Sequence, residues 1–169
     1  ASGRRICDWR IMGGYPLTIN FYGKYGSLKW HKLFKILFST EKFYHIGVRI
    51  GDSEIFVMPY KQPRVVKAKS LHKIWKPERV VYLGHVDTRP DNLKDLIPEK
   101  FLPIHPAVIC ACVILEHTLF CPWVPKSCFS LVCIILNKLG IEVPMTSSPR
   151  KIRRWLDENN CIFWQSGGR

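Results

Sequence analysis

Two short apolar runs joined by a tight polar break constrain this chain more than any other feature. Phe43–Ile50 and Glu54–Met58 are rich in Val, Ile and Phe, and Gly51-Asp52-Ser53 separates them. Such a pattern reads as a β-hairpin. Period-two alternation places His45, Gly47 and Arg49 on one face of the first strand and Ile46, Val48 and Ile50 on the other. A lone hairpin is not stable in water, so the rest of the chain must add strands and cover the apolar face.

The remaining periodicities supply that cover. Trp30, Leu33, Phe34 and Leu37 follow Ser27 at helical spacing and predict an amphipathic helix ending near Ser39-Thr40. Arg64–Ala68 and Arg79–Val86 are further strand candidates, and Pro90-Asp91 opens a short helix through Ile97. Ala107–Leu115 is apolar throughout, so periodicity leaves strand and buried helix both open. Leu131, Val132, Ile135, Leu136 and Leu139 repeat as one helix face behind Ser127-Cys128, and Gly140 stops the run. Ser148-Pro149 pairs an N-cap with an N1 proline for a last helix through about Asp157. The order predicts an α+β fold. One domain over 1–169 is expected, with a core at about 28–158 and an irregular basic opening over 1–27.

Composition narrows the class. Of the 169 residues 47% are hydrophobic, enough for a core, and no apolar run reaches the roughly 18–20 residues of a membrane helix. No secretory leader is expected at Ala1–Arg10, whose basic residues precede no unbroken apolar stretch. The net charge is +13, and residues 1–80 hold 16 basic against 5 acidic side chains. That half suits an anionic polymer, either cell wall or nucleic acid, although a solvated basic surface explains it too. The seven cysteines are an odd number set among branched aliphatics. They read as reduced thiols of a reducing, cytoplasmic compartment, with a virion-associated location as the alternative.

Two residues carry chemistry in combination. Cys128 opens a predicted helix, where free backbone N–H groups and the helix dipole favour a thiolate and can donate to an oxyanion. His45 opens a strand whose ladder would hold a general base rigidly, with Gly47 clearing space on its face. Each alone reads as an ordinary small or satisfied residue. Together they have the Cys–His logic of papain-like catalysis, with the histidine first in the chain.

His45-Ile46-Gly47-Val48-Arg49-Ile50-Gly51-Asp52 resembles the strand–turn of circularly permuted papain-like hydrolases, the branch of the NlpC-type amidohydrolases that includes lecithin-retinol acyltransferase-like enzymes. Cys128-Phe129-Ser130-Leu131-Val132 is similar to the later cysteine motif of that group. The likeness spans roughly residues 28–158. It implies a papain-like fold with a small antiparallel sheet or partial barrel, and a peptidase, amidase or acyltransferase acting on an amide, peptide or ester carbonyl. It implies no cofactor. Wall peptide and lipid are both substrates within the family, and small members resemble bacterial and phage proteins.

The chain departs from the family at one place. A third polar residue usually follows the strand histidine by about twelve positions, where this chain has Val57 between Phe56 and Met58. Glu54, Tyr60 and His85 are the substitutes, with His85 ranked first because it follows a strand that can pair near the hairpin. A backbone carbonyl or a water could also orient His45, and a missing orienter fits lost activity.

Three rival readings compete with this one. His105, Cys110, Cys112, His117 and Cys121 crowd together as a zinc ligand set would, but match no common zinc spacing. Lys and Arg interleave with Trp9, Tyr22, Tyr25, Trp30, Phe34 and Tyr44, a composition suited to single-stranded nucleic acid but without a named recognition motif. A degenerate papain-like component of a phage or virion assembly is the third. The cluster Lys151, Arg153 and Arg154 reads as a solvated face. The chain has no Walker-type phosphate loop, no GxGxxG turn after a strand and no paired-carboxylate signal.

Overall fold

The computed structural model describes residues 14–23, 45–58, 60–104, 108–109, 111–112, 114–115, 123–159 and 162–164. The helix expected over 27–40 lies outside them, as do His105, Cys110, His117 and Cys121. The fold is mixed α+β, as the periodicities predict.

Six strands form one antiparallel sheet in the order β4-β3-β2-β1-β5-β6. They are β1 (Tyr15–Tyr22), β2 (His45–Ile50), β3 (Ser53–Phe56), β4 (Arg64–Lys67), β5 (Arg79–Val86) and β6 (Ile162–Trp164). The predicted hairpin is β2–β3, with Gly51-Asp52 as its turn and Ser53 already in the second strand, opposite Ile50. Gly51 takes a φ of +58, a left-handed conformation that glycine adopts without a Cβ penalty.

β1 corrects the expectation of an irregular opening. It lies between β2 and β5 in the middle of the sheet. Its sequence alternates Leu17, Ile19 and Phe21 with Thr18, Asn20 and Tyr22. Pro16 is tolerated because it is the second residue of the strand, and its carbonyl accepts from the Gly51 N–H at 2.9 Å. A second correction follows β4. The chain turns directly into helix α1 (Ala68–Ile74), of which only Ala68 is buried. Pro90–Leu96 is a 3-10 helix. Val108, Ile109, Ala111, Cys112, Ile114 and Leu115 are helical, which answers the strand-or-helix question at those positions.

The two faces of the sheet differ in chemistry. Leu17, Ile19, Phe21, Ile46, Val48, Ile50, Ile55 and Val57 form one side of the main core. Helix α2 (Cys128–Lys138) packs on β2 and brings Leu131, Val132, Ile135 and Leu136 to that core. Each such side chain contributes roughly 1.5–3 kcal/mol when fully buried. Helix α3 (Pro149–Glu158) adds Ile152 and Leu156. The opposite face holds Asn20, Tyr22, His45 and Glu54, which are buried although polar.

Candidate functional site: Cys128, His45 and the buried carboxylate

The start of α2 is built by a serine network. Ser127 is the N-cap: its Oγ accepts from the Ser130 N–H at 3.2 Å, and the Ser130 Oγ accepts from the Ser127 N–H at 2.8 Å. The Ser127 hydroxyl then donates to Ser147 Oγ at 2.9 Å, and Ser147 donates to the Pro125 carbonyl at 2.7 Å. Ser148, next along, caps α3 by accepting from the Lys151 N–H. One hydroxyl chain therefore ties the first turn of α2 to the entry of α3. All four serines are buried. This satisfies a helix end that would otherwise leave N–H groups unpaired inside the protein.

Cys128 is the first residue of α2 and is partly buried. The backbone N–H groups of Ile46, Phe129 and Cys128 itself act on its sulfur in the direction that favours the thiolate. Ile46 is the neighbour of His45 on β2, so the thiol stands by the Ile46 amide on the α2 side of the sheet, whereas the His45 side chain belongs to the opposite, polar face. The pairing of β2 with β3 is confined to the turn end, at Arg49↔Glu54 and Ile50↔Ser53. Of the other described cysteines, Cys133 faces the core from mid-helix and Cys112 is also buried.

His45 is 4% exposed. Three rings wall it: Tyr22 at 5.5 Å between centroids, Trp75 at 6.2 Å and Phe56 at 6.4 Å. Tyr22 lies directly opposite His45 in the β1–β2 register.

The proton affinities differ from the resting thiolate expected at a helix start. Burial pushes the Cys128 thiol up to about 12, and the three backbone N–H groups offset only part of that. Burial likewise lowers His45 to about 4, against the pull of the Glu54 carboxylate. Desolvation outweighs the helix terminus because it penalises any isolated charge at this depth. The pair rests as neutral thiol and neutral imidazole.

The structure does not bring His85 to this pair. His85 pairs with Pro16 and His45 with Tyr22, at opposite ends of β1, ~20 Å apart along the strand at ~3.3 Å per residue. The ring of His85 instead bonds the Tyr82 hydroxyl at 2.6 Å. Tyr60 is 65% exposed, and Val57, at the family's usual third position, is part of the main core. Glu54 is the substitute that the fold places near His45. It is fully buried on β3, and its Oε2 accepts from Asn20 Nδ2 at 2.9 Å and lies 3.1 Å from His72 Nε2. The Tyr22 hydroxyl donates to Oε1. A Cβ at Gly47 would overlap Oε1, so the glycine on the histidine's face makes room for this carboxylate.

Asn20, Tyr22 and His72 escaped the sequence reading. Their only signal was the alternation of β1, which puts Asn20 and Tyr22 on one face; the place of His72 depends on the turn from β4 into α1. Tyr22 is 1% exposed and so offers no platform for a nucleic-acid base. Among the described residues no cluster of His, Cys, Asp and Glu suits a metal ion. None of their helices is long and apolar enough to cross a membrane.

Compared with known families, curated proteins and solved structures, the chain matches none.

Proposed function

We propose that this chain is a cysteine hydrolase of the permuted papain-like kind, cleaving an amide, peptide or ester bond through a thioester. The observation that carries the reading is the position of the Cys128 sulfur, at a capped helix N-terminus and against the amide next to buried His45. His45, reaching round the edge of β2 that β3 leaves unpaired, takes the thiol proton as sulfur bonds to the substrate carbonyl carbon. The N–H groups of Cys128 and Phe129 donate to the oxyanion. The oxyanion collapses, the bond to the leaving group breaks, and protonated His45 gives its proton to the departing amine or alcohol. Water then attacks the thioester, passes a proton to His45, and Cys128 leaves as the thiol once that proton returns. Because the pair rests neutral, proton transfer accompanies bond formation rather than preceding it. The basic surface suits an anionic substrate such as a cell-wall peptide.

A second reading has its own observation. The thiol held up at about 12 and the imidazole held down at about 4 also suit a papain-like scaffold that has lost catalysis and serves as a component of a larger assembly. Reaction with an activated ester separates the two. An enzyme transfers one acyl group to Cys128 with the help of His45, and a scaffold does not.

A further inference from the structure

Glu54 is the most elaborately held polar group among the described residues. Its side chain is 1% exposed, and three side chains from two separate segments converge on its two oxygens. Asn20 and Tyr22 come from β1 and His72 from α1. An ionised carboxylate is acceptor-only, and two of these partners can act toward it only as donors here: the Asn20 amide nitrogen and the Tyr22 hydroxyl. Burying such a group is costly without paired donors, so a fold that encloses one this way maintains it against a penalty. An apolar residue on β3 would fill the same volume at less cost.

The carboxylate is connected to His45 by two routes. Tyr22, which donates to Oε1, is also the cross-strand neighbour of His45 and packs a ring against the imidazole. Gly47, the next residue on the histidine's face of β2, leaves Oε1 free to approach. On the solvent side lies His72, whose side chain is 24% exposed.

We propose that Glu54 is a positioning residue for His45, supplying the negative charge that steadies the imidazolium during turnover and bracing Tyr22 against its ring, with His72 as the solvent-side partner of the carboxylate. The proposal rests on the Cys–His reading above. It differs from the family pattern because the carboxylate reaches the histidine across Gly47 and Tyr22, from a position other than that of Val57.

The other charged groups around this cluster are accounted for. Arg49, opposite Glu54 on β2, spends its Nε on the Gly51 carbonyl at 2.7 Å. Arg64 on β4 lies over the Phe56 ring at 5.6 Å. Lys69 and Lys73 of α1 are exposed. The Tyr22 hydroxyl is held protonated by burial and by the adjacent Glu54 charge, which keeps it a donor.

The test is a double-mutant cycle on the full chain. The rate of Cys128 acylation by p-nitrophenyl acetate is read by peptide mass mapping in wild type, Glu54→Gln, His45→Ala and the double variant. The expected result is a roughly tenfold slowing by Glu54→Gln when His45 is present, corresponding to about one pKa unit, and no further slowing in the His45→Ala background. The acid limb of the pH–rate profile should also move to lower pH by about one unit in Glu54→Gln. Equal slowing in both backgrounds, or an unmoved profile, overturns the proposal and leaves the Cys–His pair standing. If His45→Ala itself changes nothing, the underlying reading fails and takes the proposal with it. Should Glu54→Gln not fold, Tyr22→Phe removes one donor and keeps the ring. Its expected slowing is about threefold with His45 present and absent without it; the same slowing in both backgrounds counts against the proposal.

Discussion

At the scale of single residues, the site is governed by what burial does to charge. The helix terminus and the Ile46 amide of β2 together offer Cys128 three backbone N–H groups, yet desolvation dominates and the thiol stays protonated. The places of His45 and Cys128 in the fold were legible in the sequence because each stands at the first position of a strongly patterned element. Glu54 was legible only as one of three substitutes, ranked behind His85. The reason is physical: the groups that hold it, Asn20, Tyr22 and His72, meet only through strand register and through a helix the pattern did not reveal. Gly47 gives the sharpest prediction at this scale. Replacing it with alanine puts a Cβ on top of the fully buried Glu54 Oε1. Chemical denaturation of Gly47→Ala should show a loss of about 1–3 kcal/mol, the usual cost of overpacking. An unchanged midpoint would mean that Glu54 has room to move and is not fixed as described.

At the scale of elements, the sequence was most readable where apolar periodicity met clear punctuation. Strand β5 and the starts of α2 and α3 lie where alternation, Ser127 and Ser148-Pro149 place them. β1 carried the same alternation, but its flanking glycines and Pro16 drew the reading toward turns. Helix α1 is short and mostly exposed, so its sequence has almost no apolar stripe to detect. The serine network at the head of α2 could be anticipated only in part. Ser127 reads as a cap, whereas its bond to Ser147, twenty residues on, is a product of tertiary packing. Ser127→Ala removes both the cap and that bond. A loss of about 1–2 kcal/mol in a urea titration is expected, the range for N-cap deletions. No loss would show that the first turn of α2 is held by its core side chains alone.

At the scale of the whole molecule, a sheet with an apolar face against α2 and α3 and a buried polar face behind it makes stability depend on pH. His45 falls from an ordinary 6.5 to about 4 on folding. The unfolded chain therefore binds this proton first. Stability is fully present above pH 6.5 and declines as pH falls toward 4, by roughly 3 kcal/mol in total from this group. Thermal melts across that window should show the decline, and His45→Gln should flatten it. An identical slope in the variant would assign the acid sensitivity to other groups. The central claim, that Cys128 and His45 act as one unit, is tested most directly by trapping the covalent intermediate. The native protein is exposed briefly to an activated ester at pH 7.5, quenched in acid and mapped by peptide mass. The account predicts one acyl group, on Cys128, labile to hydroxylamine and formed at least about tenfold more slowly in His45→Ala. Acylation spread over several cysteines, or a Cys128 rate indifferent to His45, would contradict it.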